Sequence, residues 1–371
     1  TPFRVVIAGG GPAALEAVLA LRELAPGVDI EVLAPDAEYV YRPLSVADPF
    51  AVAGVRRYPY ERLTDLGVTV RRDALVSATP EDHRIRTADG HDVHYDALLV
   101  VTGALAAPAA PKTLTFAGPE QIERVHGLVQ DIEGGYVHSV VFSAPAGAEW
   151  TVPIYELALQ TAERVYDMSL TDVRLAVVAD EDRPVAIFGP EAAEKVGSVL
   201  QQSGVHFQNG RHSTPPADRV VTLPVPVGRR HEGLPADAGG FLPVDGQGRV
   251  LGVDGVWAAG DGSSFSSIKQ GGLATQQAEV VARSIAIAAG SAIKPGSYEP
   301  VLRGMLITGR RALFLSRRLD GRDPGEVSST ALWSPPSKIA GERLSAFLES
   351  LDAAPGLERR MEAAAARAGR A

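Results

Sequence analysis

Residues 3–8 (FRVVIA) form a short apolar run that feeds into Gly9-Gly10-Gly11-Pro12, and an Ala/Leu-rich stretch of helical composition, Ala13 to Leu24, follows at once. Pro26-Gly27 breaks that helix and a second strand comes at 29–33 (DIEVL). A strand that turns through glycines into a helix and returns as a strand is a βαβ unit, which builds a parallel sheet. The spacing Gly9-x-Gly11-x-x-Ala14 fits a turn that holds a dinucleotide. The first glycine permits the tight turn, the second lets backbone N–H groups approach a pyrophosphate, and the small third residue keeps helix close to strand. The helix N-terminus, reached through Pro12 and Ala13, adds unpaired donors and a positive dipole. An acidic residue closing the second strand would hold a ribose, but Ala34 stands there and Asp36 comes two residues later. The ribose contact is open between Asp36 reaching back and backbone atoms near Ala34 and Pro35.

Strand-like segments at 68–71 (VTVR) and 84–87 (RIRT), with the turn Ala88-Asp89-Gly90, predict a small antiparallel insertion. The apolar run 95–101 (YDALLVV) reads as a buried strand ending at Thr102-Gly103, and Ala106 to Pro111 as a linker. A second βαβ pattern follows, with strands at 138–144 and 173–179 around a helix near 153–165, then a helix at 191–203 leading to Val205-His206-Phe207. Beyond a Pro/Gly-rich stretch near 219–225, the strand 255–259 (GVWAA) ends in Gly260-Asp261 and helical composition resumes at 272–289. The segment 301–319 (VLRGMLITGRRALFLSRRL) reads as a β-hairpin around Gly309-Arg310-Arg311 in preference to a helix lying on a membrane, its arginines a docking patch for an acidic partner or a dimer mate. The expected fold class is α/β: two Rossmann-like βαβ dinucleotide-binding-type domains plus a smaller C-terminal mixed α/β region. The first domain comprises 1–108 and 236–292, the second 109–235, and an interface region 293–350, with a disordered tail at 351–371.

The 36 basic and 45 acidic residues leave a net charge of −9, which argues against nucleic acid or anionic lipid as the main partner. No apolar run approaches the roughly 18 residues that span a bilayer, so no transmembrane segment is expected. The chain contains no cysteine, which excludes disulfides, thiolate nucleophiles and thiolate-held metal centres together. The strand at residue 3 follows no basic and apolar leader, so a cytoplasmic protein is expected. The eight histidines show no metal spacing and no metal site is expected; a G-x-S-x-G elbow and a P-loop are both absent.

The glycine turn at 9–14, the run from Tyr95-Asp96 to Thr102-Gly103-Ala104, and 255–261 (GVWAAGD) followed by Lys269-Gln270-Gly271-Gly272 occur in an order and at distances that resemble two-dinucleotide-domain flavoproteins. This is the FAD-dependent pyridine-nucleotide-disulfide-oxidoreductase-like superfamily, with type II NADH dehydrogenases, sulfide:quinone oxidoreductases, flavocytochrome c sulfide dehydrogenases and ferredoxin-reductase-like enzymes among its members. The likeness covers about residues 3–290. It implies FAD as cofactor, with its pyrophosphate on Gly9 to Ala14, its adenine against the backbone of Leu75, and Thr102 and Gly103 closing over it. It also implies that Asp261, after Gly260, takes a ribityl hydroxyl. The Lys269-Gln270 segment and the helix starting near Gly272 and Leu273 would then lie at the flavin C2 carbonyl, with the helix dipole tuning the ring. Tyr41-Arg42-Pro43-Leu44-Ser45 is similar to the Arg-Pro-Pro-Leu-Ser-Lys loop of ferredoxin-reductase-like enzymes, so Arg42 and Pro43 would lie against the cofactor. The lysine of that loop is missing here, with Val46 nearby.

The second βαβ pattern departs from its relatives: strand 138–144 runs into Pro145-Ala146-Gly147-Ala148-Glu149-Trp150, with no second glycine fingerprint. The segment 150–156 (WTVPIYE) is similar to the Cys-Pro-Pro-Gly-Pro-Tyr-Glu segment of flavocytochrome c sulfide dehydrogenases, and Trp150 takes the position of their redox cysteine. A flavin–cysteine relay is chemically impossible without a thiol. Trp150 either limits access to one flavin face or anchors a loop; Glu156 is either a proton donor or a complement to a helix dipole. Trp333-Ser334-Pro335-Pro336 resembles C-terminal segments that approach the flavin or quinone in these enzymes, or serves as a packing anchor. The expected function is an FAD-dependent oxidoreductase with electrons entering and leaving at the flavin, independent of thiols. Its substrate would be a small or quinone-like molecule or a protein electron-transfer partner, with peripheral membrane contact not favoured and a homodimer a candidate assembly. The alternatives are an NAD(P)H:acceptor reductase using a degenerate nicotinamide site, and a non-catalytic FAD-binding subunit or redox-sensing scaffold.

Overall fold

The computed structural model describes residues 2–210, 215–309 and 311–352. The chain opens with β1 (Arg4–Ala8), α1 (Pro12–Leu24) and β2 (Asp29–Leu33), then the hairpin β3 (Glu38–Tyr41) and β4 (Arg56–Pro59), and the short strand β5 (Thr69–Arg71). The meander β6 (Leu75–Thr79), β7 (Arg84–Thr87) and β8 (Asp92–His94) leads into β9 (Ala97–Val100), followed by β10 (Leu105–Ala107) and β11 (Leu114–Thr115). Next come α2 (Ile122–Glu133), β12 (Ser139–Ala144), α3 (Val152–Asp167), β13 (Arg174–Ala179), α4 (Pro190–Gln202) and β14 (Val205–Asn209). The chain then runs through β15 (Arg219–Thr222), β16 (Val225–Val227), β17 (Val256–Ala258) and α5 (Gly271–Ala288). It ends in β18 (Val301–Ile307), β19 (Ala312–Arg318), β20 (Glu326–Ser328) and α6 (Leu344–Asp352).

Two five-stranded sheets, both wholly parallel, organise these elements. The first has the order β17-β9-β1-β2-β5 and the second β11-β15-β12-β13-β14. The first sheet packs on one face against α1 and α5 and on the other against the β6–β8 meander, so β1 beyond Arg4 and all of β9 are buried on both sides and read as apolar runs. In the first layer α1 packs along α5, and their small residues, Ala13, Ala17, Ala278 and Ala282 among them, share one core with Ile7, Ile30 and Leu99. A second core joins β12, β13 and α3 to the inner face of the β18–β20 sheet.

Four expectations are corrected. Segment 69–71 is the edge strand of the first parallel sheet, paired to β2 from Glu31↔Thr69 to Leu33↔Arg71, and only β6–β8 form the antiparallel insertion. Helix α2, with Val125, Leu128, Val129 and Ile132 buried on one face, fills a region read only as following a linker. Strand β15 lies inside the stretch read as Pro/Gly-rich and is central, between β11 and β12. Residues 351 and 352 close α6, where Asp352 accepts from Arg56 at 2.7 Å and Tyr58 at 3.1 Å; the remainder of the expected tail, 353–371, lies outside the described residues. The expected hairpin forms, with β18 and β19 antiparallel from Val301↔Arg318 to Ile307↔Ala312; Arg310 lies outside the described residues.

The chain's last described helix is tied to its first. Glu16 of α1 accepts from the backbone N–H groups of Arg343 (2.7 Å) and Leu344 (3.0 Å), and Arg343 pairs in turn with Glu23 and Glu279. A carboxylate at a helix N-terminus satisfies donors that have no intrahelical partner. The segment leading into α6 is thereby held across the first sheet, with Ile339 N–H donating to Tyr41 Oη at 2.9 Å.

Candidate cofactor and active site

A cavity of about 970 Å³ opens at the C-terminal ends of β1, β2, β9 and β17, where ligands of open α/β sheets bind. Its floor is the glycine turn. A Cβ on Gly9, whose φ is +128°, would stand 2.3 Å from Val101 O, and one on Gly10 would stand 2.1 Å from Tyr60 Oη. Gly11 has nothing within 4 Å of its Cβ position, and no side chain caps α1, which starts there with Pro12 in its first turn. Tight backbone packing below, open space above and an uncapped helix N-terminus fit the pyrophosphate of a dinucleotide such as FAD. Tyr60 locks the turn from the side, its hydroxyl donating to Gly10 O at 2.6 Å.

Most residues expected from the sequence line this one cavity. Pro12 and Ala13 extend the turn, Pro35 and Asp36 follow β2, and Leu75, Thr102 and Gly103 form the adjoining wall. Arg42 and Pro43 lie at its margin, Arg42 pairing with Glu120 at 3.1 Å with both side chains largely exposed. Gly260, Asp261, Lys269 and Gln270 complete the side below α5, and Trp150 and Glu156 enter from α3. Burial pushes the Asp261 carboxyl up to about 6 against the opposing pull of Lys269 and of the Gln270 N–H.

Four expected residues lie outside the cavity wall. Ala14 is fully buried where α1 meets the sheet, and Ala34 is buried with its N–H bound to Arg71 O at 3.0 Å, so of the three residues at that bend Pro35 and Asp36 line the space and Ala34 does not. Gly272 and Leu273 are buried in α5, because the Gln270 side chain folds back to accept from Leu273 N at 2.8 Å and caps its own helix. The cavity meets that terminus at Gly271 instead. Lys269 is tied down too, its Nζ donating to Ser263 O and Ser266 O at 2.7 Å each while sitting 4.1 Å from the centre of the Phe241 ring.

Glu156 does not serve as a dipole complement. It sits in the second turn of α3, its side chain 1% exposed, and its Oε1 accepts from Ile307 N at 2.9 Å and from Lys338 Nζ, a side chain only 7% exposed. Burial drives the Glu156 carboxyl upward and Lys338 pulls it back. Lys338 escaped the sequence reading because it belongs to a coil with no periodicity, 182 positions from its partner. A cation, Lys338, therefore stands at this end of the cavity, although the lysine of the similar ferredoxin-reductase loop is missing from 42–46. Trp333 is the anchor of that coil: its indole donates to Ser337 O at 2.9 Å and meets Phe314 edge-on. Trp150 packs its edge against Phe188, with ring centres 6.0 Å apart, and lines the cavity with Met305.

His231 is a further lining residue that pattern reading missed, its Nε2 lying 2.9 Å from Thr102 Oγ1. Burial and then Arg229 push its pKa down, favouring the neutral ring. One grouping has metal-like spacing among the described residues, Asp73, Asp89 and His91, with ligand atoms within 4.8 Å of one another. Asp73 Oδ1 already accepts from the N–H groups of Ala74 (2.8 Å) and Asp89 (3.2 Å), which makes it a brace of the β7–β8 turn.

The fold has counterparts among solved structures. The sulfide:quinone oxidoreductase of Aquifex aeolicus superposes with a TM-score of 0.79 at 15% identity, covering 88% of this chain and 87% of that one. The ferredoxin reductase for the CYP199A2 system of Rhodopseudomonas palustris gives 0.66 at 21%, covering 86% and 83%. The chain shares the fold of these two oxidoreductases. A third member of that fold, an NAD-dependent persulfide reductase from A. fulgidus, matches with a TM-score of 0.60 at 18% identity over 86% of this chain and 65% of its own. In sequence, the chain is 26% identical over 227 residues to the probable ferredoxin reductase CtmF of Castellaniella defragrans, a stretch that spans 56% of this chain and about half, 55%, of that relative. No family model matches. No helix among the described residues is long and apolar enough to cross a membrane.

Proposed function

We propose that this chain is an FAD-dependent oxidoreductase in which electrons enter and leave at the flavin, with the second sheet shaping a substrate pocket and binding no nicotinamide. One observation carries the reading: a single cavity runs from the uncapped glycine turn at Gly9–Ala13 to the buried pair Glu156 and Lys338 beside Trp150. Gly9 to Ala13 would hold the pyrophosphate, Asp261 a ribityl hydroxyl, and Thr102, fixed by His231, the wall beside it. FAD, when bound, supplies two-electron chemistry that can be passed on singly or in pairs.

The chain's own residues supply the remainder. Glu156 Oε1, held by Ile307 N–H and Lys338 Nζ, can keep or release a proton at the cavity wall. Lys338 offers a fixed positive charge where negative charge develops on a reduced acceptor. Trp150 and Met305 exclude water and present a flat apolar surface to a planar substrate. With no cysteine in the chain, the redox step is confined to flavin and acceptor. The names of the sequence relative and of one structural neighbour favour a small iron–sulfur protein as the partner over a quinone.

An anaerobic titration of the FAD-loaded protein with NADH and then NADPH, followed near 450 nm with dithionite as the end point, tests this. Full bleaching by dithionite and none by either nucleotide is expected. Fast stoichiometric bleaching by a nucleotide would turn the assignment to an NAD(P)H:acceptor reductase, and a protein that takes up no FAD would end both readings.

A further inference from the structure

The β6–β8 meander carries a group of side chains that the flavin reading does not use. Asp73 stands between β5 and β6, and Asp89 and His91 lie in the turn between β7 and β8. Oxygen atoms of the two carboxylates and a ring nitrogen of His91 all fall within 4.8 Å of one another. Two carboxylate oxygens and one imidazole are the donor set of borderline divalent cations such as Zn²⁺.

Proximity alone would describe a surface cluster, but the burial of Asp73 adds a separate observation. Its side chain is 1% exposed, and while Oδ1 accepts from the N–H groups of Ala74 and Asp89, Oδ2 is buried with no hydrogen-bond partner among the described residues. A buried carboxylate oxygen without a donor is costly. Oδ2 faces His91 Nδ1 at 3.6 Å. That is too long for a hydrogen bond, yet close to the ~3.4 Å that separates two ligands at a tetrahedral angle around an ion with bonds of roughly 2.1 Å. The arginines of β7 do not supply the missing charge, because Arg84 and Arg86 both pair with Asp92. Asp89 and His91 are exposed, so an ion can enter from solvent and water can complete its shell.

We propose that Asp73, Asp89 and His91 bind a divalent cation of the zinc class, with Asp73 Oδ2, one Asp89 carboxylate oxygen and His91 Nδ1 as its protein ligands. Backbone bonds hold the three residues in register before the ion arrives: Ala88 N–H donates to Ala74 O at 2.9 Å and Thr87 N–H to His91 O at 3.0 Å. The ion cross-links the start of β6 to the β7–β8 turn, beside Ala74 and Leu75 in the cavity wall. It requires nothing of the flavin assignment and uses none of the residues placed in that site.

The test is calorimetric titration of Zn²⁺ into the tag-free, chelator-stripped full chain and into His91→Ala, Asp89→Asn and His138→Ala. His138 makes an exposed pair with Asp172 at 2.9 Å that no third ligand joins among the described residues, so it controls for adventitious imidazole binding. The unaltered chain and His138→Ala should bind one Zn²⁺ with equal affinity and melt at a higher temperature with it, whereas His91→Ala and Asp89→Asn should bind it about tenfold more weakly or worse. Absence of a saturable site, or an affinity unchanged in either of those two variants, would overturn the proposal. If a variant does not fold, the unaltered chain decides. Zn²⁺ should shield His91 but not His138 from carbethoxylation by diethyl pyrocarbonate, and equal labelling of His91 with and without Zn²⁺ refutes the site. The titration is run on protein with and without FAD, so failure of the cofactor assignment leaves its outcome readable.

Discussion

Replacing Lys338 with methionine leaves Glu156 in the cavity wall with one remaining donor, the N–H of Ile307. An unpaired buried carboxylate costs about 3–5 kcal/mol. The folded protein has a cheaper route, which is to protonate Glu156. Starting from the ordinary carboxylate value of 4.5, taking up a proton at pH 7 costs 2.5 pH units, or about 3.4 kcal/mol. That figure caps the destabilisation at neutral pH. The folded-state pKa in the variant lies above the unfolded value, so the penalty is largest at high pH, falls by about 1.4 kcal/mol per unit as pH is lowered, and is nearly gone near 4.5. Urea unfolding of the unaltered chain, Lys338→Met and Lys338→Met/Glu156→Gln at pH 7 and 5.5 measures this. The single variant should lose about 3 kcal/mol at the higher pH and about 1.4 kcal/mol at the lower, and the double variant should recover most of the loss at pH 7. A pH-independent loss below about 1 kcal/mol, or a double variant as unstable as the single one, would show that the two groups do not form a buried pair in solution.

Gly11→Ala should fold with little change in stability, since open space surrounds its Cβ position, yet should retain less FAD because that Cβ projects toward the glycine cradle; absorbance at 450 nm per protein, set against the melting midpoint, separates the two effects. Gly9→Ala, with backbone 2.3 Å from its Cβ, should lose both together. Tyr60→Phe removes the hydroxyl bonded to Gly10 O and should cost about 1 kcal/mol in urea unfolding, with weaker FAD retention. Burial, reinforced by Glu279, raises Glu16 to about 7, so the folded state binds the proton more tightly and stability should fall as pH rises from about 4.5 to about 7, by at most about 3 kcal/mol. Glu16→Gln should flatten that slope in melting curves taken across the same range.

The first βαβ unit was legible in the sequence because its signals are local: an apolar strand, a glycine turn in which Gly9 packs on backbone with no room for a side chain, and a helix begun by proline. Where pairing depends on distant strands, local pattern is silent. The three residues of β5 look the same whether they join a hairpin or the edge of a parallel sheet, and β15 is a central strand hidden by the prolines at 224 and 226. Helix α2 carried a readable signal in the spacing of Val125, Leu128, Val129 and Ile132, which was overlooked behind a proline-rich linker. In the site, residues next to a strand end were found by position, whereas Lys338, His231 and Tyr60 reach the cavity from segments whose sequence gives no hint of where they fold. The capping of α5 by Gln270 was equally hidden, since it depends on a side-chain rotamer.

The clasp in which Glu16 grips the backbone at Arg343 and Leu344 also sets an order of events. During synthesis, the glycine turn and both parallel sheets can assemble once β17 and α5 have left the ribosome, but Lys338 and Ile339 arrive some 50 residues after α5 ends. Until then the cavity lacks one wall and Glu156 lacks its cation. The contact that completes the cavity thus spans more than 300 residues of sequence, so the last wall around the ligand space is built from the last part of the described chain to be synthesised.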